Sequence, residues 1–233
     1  MLKKYGQPLV YRVINPFIEA LVRAKVHPNT ITTIGLLINV VATGIFIYGA
    51  ENGSRTDHSY VGYGGAVILL AGLFDMIDGR LARVGNMSSE FGALYDSVLD
   101  RYSEMIMFLG ICFYLISHHY FLSSLAAFVA MIGSVMVSYT RARAEGLGVD
   151  ASVGMMQRPE RIVLIGGSAV ICGIFSATVG GDVKVTVDWL PISIFETITL
   201  FTFPIFVVAI LANQTAIKRL THSRKLLEEK DKG

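Results

Sequence analysis

Long apolar runs recur along the chain at about 29–50, 61–78, 92–117, 119–140, 161–180 and 190–213, separated by short polar segments. Each is close to the roughly 20 residues a helix needs to cross a bilayer, so the pattern predicts six membrane spans. Ahead of them, Val10, Val13, Ile14, Phe17, Ile18, Leu21 and Val22 follow i, i+3, i+4 spacing among Lys3, Lys4, Arg12, Arg23 and Lys25. That is the pattern of an amphipathic helix lying along the membrane interface. The first run starts too late and is too long for a signal-peptide core, so no cleaved leader is expected.

Composition agrees with this picture. The 233 residues are 53% apolar and only 16% charged, whereas a soluble domain carries about 25% charged residues to solvate its surface. A formal net charge of +2 argues against a nucleic-acid partner, which would call for a dense basic face. Cys112 and Cys172 are far apart and have no CxxC spacing, so they read as core residues rather than a disulfide or zinc framework. The chain shows no internal repeat and no soluble second domain.

The distribution of charge says more than its sum. With the N-terminus inside, the first segment, the 79–91 and 141–161 loops and the tail from Lys218 hold 17 of the 20 basic residues. Cytoplasmic loops carry this excess, so both termini are expected inside. The sequence therefore divides into an interfacial segment (1–28), a six-span domain (29–217) and a charged tail (218–233) expected to be solvated and frayed. His118 and His119 fall in an outer turn and read as exposed polar residues, with Tyr120 and Trp189 as interfacial anchors.

Against this apolar background, Asp75, Asp78, Asp96 and Asp100 stand out. Each charge at a helix centre costs about 2.5–3.5 kcal/mol on insertion scales, so something cationic must compensate them. Spacings of i, i+3 and i, i+4 put each pair on one helix face, and two such helices side by side aim four carboxylates at one point. Oxygen ligands without His or Cys suit Mg²⁺, Mn²⁺ or Ca²⁺. The structural alternative is a network with Arg80, Arg83 and Arg101. Gly79 and Gly92 flank the cluster, where a missing side chain lets a ligand approach the backbone. Glu104, one turn beyond Asp100, either supports a metal ligand or faces a polar cavity.

Asp75-Met-Ile-Asp78-Gly79-Arg-Leu-Ala82-Arg83, followed by Gly92, Asp96 and Asp100, resembles in full the signature of the CDP-alcohol phosphotransferase family, with eight fixed positions over 26 residues. The resemblance extends to the six spans, the preceding amphipathic helix and His27-Pro28-Asn29-Thr30-Ile31-Thr32 before the first span. It implies an all-α integral membrane enzyme that transfers a phosphatidyl group from a CDP-linked lipid to an alcohol, releases CMP and uses two divalent cations, Mg²⁺ or Mn²⁺. It further implies that Asp75, Asp78, Asp96 and Asp100 are metal ligands and that Asp100 is also the general base. Gly79 is expected to give room to the nucleotide, Arg83 to face the diphosphate, and Asn29, Thr32 and Ser89 to contact the CDP-lipid. A homodimer is common in the family, and Gly166 and Gly167 offer close helix packing.

The signature is shared by members that use different alcohols, so the acceptor must be read elsewhere. Ser138-Tyr139-Thr140-Arg141-Ala142-Arg143-Ala144-Glu145-Gly146, followed by Gly154 and Gln157-Arg158-Pro159-Glu160-Arg161, is similar to the corresponding segment of phosphatidylinositol-phosphate synthases and their archaetidyl counterparts. Four arginines beside an acidic metal site suit a phosphorylated acceptor, with Ser138, Arg141 and Arg158 as candidate contacts. Inositol 1-phosphate is the expected acceptor, with glycerol 3-phosphate or inositol as alternatives. The pattern departs from those synthases in having Arg141 where Lys is frequent, and Asn213, Gln214 and Thr215 where a further arginine is usual, the nearest bases being Lys218 and Arg219.

Two other classes of membrane protein share part of this pattern. A membrane prenyltransferase also binds a diphosphate through Asp-rich motifs, but those fall in separate halves of the chain. A cation transporter would spread acidic residues across the membrane depth, whereas these cluster at one end of two adjacent spans.

Overall fold

The computed structural model describes residues 14–186 and 193–232; Lys3, Lys4, Tyr5, Val10, Arg12, Val13 and Trp189 lie outside them. Seven helices are described: α1 (14–23), α2 (Pro28–Asn52), α3 (Ser59–Val84), α4 (Glu90–Ser117), α5 (Phe121–Glu145), α6 (Arg158–Val179) and α7 (Thr199–Lys230). Their starts follow from local chemistry. The His27 ring accepts from Asn29 N at the start of α2 and Pro28 fills its first position. Ser89 Oγ accepts from Gly92 N at 2.9 Å to cap α4. A reciprocal Gln157 and Glu160 capping box opens α6.

The six long helices close into a ring. Around it, α2 packs on α3, α3 on α6, α6 on α7, α7 on α5, α5 on α4 and α4 back on α2. Phe46, Phe108, Ile111, Tyr114, Phe201 and Ile205 fill the interior. On the outside, Leu37, Leu70, Leu109, Phe128, Ile171 and Phe206 stand exposed on the six helices in turn. An apolar surface on every side is what a lipid solvent requires and water disfavours. The fold is that of an integral membrane protein.

Five helices, α2, α3, α5, α6 and α7, are long and apolar enough to cross a membrane. The sixth expected span, α4, spends its first half on Glu90, Asp96, Asp100, Arg101 and Glu104, which leaves too short an apolar stretch beyond them.

Helices α3 and α6 approach each other closely. A Cβ on Gly62 would sit 2.9 Å from Gly173 Cα, and one on Gly173 would sit 2.5 Å from Gly62 Cα. The helices cross with backbones touching, as glycine permits. Gly166 joins the same crossing against Leu69 and Gly65, while nothing lies near Gly167.

Helix α1 buries Ile14 and Ile18 against Ile31, Ile77 and Leu81, so its apolar stripe covers the ends of α2 and α3. Phe17 of the same stripe is exposed.

Three expectations are corrected. The architecture is helical as expected, but Lys184–Thr186 (β1) and Ser193–Glu196 (β2) pair antiparallel between α6 and α7, so the final helix starts at Thr199 and not near 190. The charged tail is not frayed, because α7 continues to Lys230, whose Nζ donates to Leu147 O at 3.1 Å. His118 is buried, with its Nε2 3.2 Å from Gly49 O, because the turn folds back onto the end of α2. The Arg55 guanidinium lies over the Tyr120 ring at 4.8 Å.

A second polar cluster sits at the opposite end of α3 from Asp75 and Asp78. His58 Nε2 lies 3.7 Å from Asp182 Oδ1, and both side chains are buried. Asp182 also accepts from Thr197 N at 3.0 Å, and Ser176 Oγ accepts from His58 N at 3.4 Å. These contacts tie the α2–α3 loop to the segments that leave α6 and enter α7.

Candidate active site

The last turns of α3 and the first half of α4 deliver the four aspartates. Asp75, Asp78 and Asp96 each offer a carboxylate oxygen within 4.8 Å of the others, so the helical spacing converges as expected. Asp100 joins through a shared partner: Arg158 Nη1 lies 2.8 Å from Asp100 Oδ1 and also contacts Asp75 Oδ1. Among the described residues, Asp78 Oδ2 and Asp96 Oδ1 are buried and lack hydrogen-bond partners. Buried carboxylate oxygens left unpaired are costly, and an all-oxygen donor set fits a hard divalent cation.

Two cavities meet at this cluster. The smaller, about 170 Å³, lies between the starts of α2 and α4 and the end of α3. Asn29, Thr32, Gly79, Arg83 and Ser89 all line it, together with Asp78 and Asp96. The five residues marked in the sequence for the CDP-lipid thus share one pocket. Several also have local duties, since Ser89 caps α4 and Thr32 Oγ1 donates to Pro28 O at 3.2 Å. Gly79 keeps the wall low beside Arg83, whose guanidinium nitrogens would lie 3.7 and 3.8 Å from a Cβ there. Gly92 packs under Ser89 Oγ, which would lie 2.9 Å from its Cβ.

The larger cavity, about 520 Å³, adds α5, α6 and α7 to its walls. Ser138, Arg141 and Arg158 line it, as expected, with all four aspartates. Six arginines surround it: Arg83, Arg101, Arg141, Arg158, Arg161 and Arg219. They are held differently. Arg141 is half exposed and pairs with Glu145 at 2.8 Å. Arg101 donates to Ser97 and, at 3.5 Å, to Ser138 O. Arg161 is fully buried against Glu104, which answers the open question about that carboxylate: it holds an arginine, not the metal cluster. Arg219 donates from Nε to Val153 O at 2.8 Å and from Nη1 to Val137 O at 2.7 Å.

The Glu104–Arg161 pair and the Arg219 anchor were not read from the sequence as site features. Arg219 was noted only as a nearby base, and its position in the helical continuation of α7 brings it into the cavity wall.

Residues 25–221 match the CDP-alcohol phosphatidyltransferase family. The chain belongs to that family. As a CDP-alcohol phosphatidyltransferase it is a transferase acting in the membrane. It is 33% identical to the phosphatidylinositol phosphate synthase of Mycobacteroides abscessus over 70% of this chain and 71% of that one. It is also 33% identical to the archaetidylinositol phosphate synthase of Methanothermobacter thermautotrophicus over 71% of this chain and 75% of that one. In fold it is similar to the phosphatidylinositol phosphate synthase of Mycobacterium tuberculosis with CDP-DAG bound, at a TM-score of 0.69 and 24% identity, covering 91% of this chain and 94% of that one. A second structure of that protein, in complex with manganese and citrate, aligns over 89% of this chain and 87% of that one, again at 0.69 and 24% identity.

Proposed function

We propose that the enzyme transfers a phosphatidyl group from CDP-diacylglycerol to inositol 1-phosphate, at a site on the cytoplasmic face of the cell membrane, with all six long helices spanning and both termini inside. The observation that carries the acceptor is the arginine-lined cavity beside the carboxylates. An uncharged or cationic alcohol has no use for Arg141 and Arg158 in the wall of that cavity, whereas a phosphate monoester can accept charge-assisted hydrogen bonds from arginines. The similarity to a phosphatidylinositol phosphate synthase and an archaetidylinositol phosphate synthase supports the same reading.

In this reading the smaller cavity takes the CDP-lipid, with Asn29, Thr32, Gly79 and Ser89 around the nucleotide and Arg83 on the diphosphate. Asp75, Asp78, Asp96 and Asp100 would hold two divalent cations, Mg²⁺ or Mn²⁺, whose positive charge would offset that of the diphosphate oxygens while the bridge between the lipid phosphate and CMP is cleaved. Ser138, Arg141 and Arg158 orient the acceptor so that its hydroxyl faces the shared wall of the two cavities. Asp100 takes the hydroxyl proton as the new oxygen–phosphorus bond forms and CMP departs with the electrons of the old one. The buried Glu104–Arg161 pair keeps the cavity floor in place.

The test is CMP release by purified protein from CDP-diacylglycerol, with inositol 1-phosphate, glycerol 3-phosphate, inositol and serine offered separately. Inositol 1-phosphate should give the highest kcat/KM. Preference for glycerol 3-phosphate would transfer the assignment to that acceptor, and release with none of the four would remove the reading.

A further inference from the structure

Arg158 differs from its neighbours in how it is held. Arg161 satisfies Nε, Nη1 and Nη2 on Glu104 and Met156 O. Arg158 instead directs Nη1 at Asp75 and Asp100, while its Nε is buried without a hydrogen-bond partner among the described residues. Its backbone is the first residue of α6 and is fixed by the Gln157 and Glu160 capping box. Any change of partner is therefore a side-chain rotation. There is space for one, because Arg158 lines the cavity of about 520 Å³.

We propose that Arg158 is an exchangeable counter-cation, which occupies Asp75 and Asp100 until a divalent cation takes those oxygens and then swings to the acceptor's phosphate. A guanidinium and a divalent cation compete for the same carboxylate lone pairs at contact distance. Two divalent cations balance four carboxylates by themselves, which leaves the guanidinium in surplus beside them and favours its pairing with an anion. The acceptor site is then completed only after the cations are in place. The enzyme is thereby kept from binding acceptor tightly before the donor half can react. This rests on the acceptor role proposed above for Arg158, and it assigns that role an order.

The experiment is Mn²⁺ binding to the full chain in detergent, followed by paramagnetic resonance of free Mn²⁺, with manganese chloride alone and no lipid or alcohol. Loss of the competing cation in Arg158→Gln should tighten Mn²⁺ binding by about 5-fold, with Arg158→Lys showing a smaller gain in the same direction. Arg101→Gln controls for general electrostatics, because Arg101 donates to Ser97 and Ser138 and not to the aspartates; it should change affinity by less than about 2-fold. Unchanged or weaker Mn²⁺ binding in Arg158→Gln overturns the exchange, as does an equal gain in Arg101→Gln. If Arg158→Gln does not fold, Arg158→Lys alone decides by the same criterion. A protein that releases CMP but shows no such gain loses only this inference. One that shows the gain but never releases CMP keeps the competition between Arg158 and the cation and loses the functional reading, together with the swing to the acceptor that rests on it.

Discussion

Arg161 meets both oxygens of Glu104, Nε at 2.8 Å from Oε1 and Nη2 at 3.0 Å from Oε2, and neither side chain is more than 2% exposed. The pair links α4 to α6 across the floor of the larger cavity, and the Arg161 Nη1 bond to Met156 O extends it to the loop before α6. Removing one partner strands a buried charge, which costs about 3–5 kcal/mol. Glu104→Gln should therefore lower the melting temperature sharply in detergent. The double variant Glu104→Gln with Arg161→Met should recover part of the loss. A double variant no more stable than the single one would contradict this account.

The aspartates predict a different signature. Asp96→Asn and Asp100→Asn keep shape and remove charge, so the protein should still insert and melt as a folded species. CMP release should fall by at least about 100-fold in each, the scale of losing a group that stabilises developing charge. Steady-state CMP assays beside thermal melts separate the two effects.

The two cavities predict a split in kinetics. Arg141→Ala should raise the KM for the acceptor by about 10-fold, the loss of one charge-assisted hydrogen bond, and leave the KM for CDP-lipid unchanged. Asn29→Ala should do the reverse. Ser89→Ala should raise the KM for CDP-lipid and also cost about 1 kcal/mol of stability through the lost α4 cap.

Acidity should weaken the end of the molecule that holds His58. Burial lowers this imidazole below its usual 6.5, despite the opposing pull of Asp182 and Asp57. The unfolded chain then takes up the proton first as pH falls. Stability from the neutral ring is present above pH 6.5 and is lost as pH drops through the lower folded value. The melting temperature should decline from about pH 7 to pH 5, and His58→Gln should flatten that decline. An equal slope in the variant would assign the pH dependence to other groups.

How far the sequence reveals this architecture depends on the range of each interaction. Asp75 with Asp78 and Asp96 with Asp100 are readable because helical periodicity alone puts each pair on one face, and convergence requires only that α3 and α4 be neighbours. Asn29, Thr32, Gly79, Arg83 and Ser89 share a pocket because the polar segments before α2 and α4 flank the end of α3. By contrast, Glu104 and Arg161 are 57 positions apart, and nothing periodic joins them. Arg219 escaped notice as a wall residue because a run of Lys, Arg and Glu after an apolar span reads as solvated tail. Its carbonyl partners Val137 and Val153 exist only once α5 and the loop before α6 are folded around it. The β1–β2 pairing was hidden because β2 falls in the apolar run 190–213, where it resembles the start of a span, while β1 lies in the polar stretch before it.

Asp78, Gly79, Arg83 and Asp96 line both cavities. The smaller one is built wholly from residues 28–96, and what distinguishes the larger one comes mostly from residues 137–219. Under the proposed assignment the two substrates are served mainly by consecutive halves of the chain that meet along a single partition, with the turn at His118 to Tyr120 between them. Recombination at that turn would exchange one specificity while leaving the other's pocket uncut, a route by which a lineage can diversify its products without rebuilding its donor chemistry.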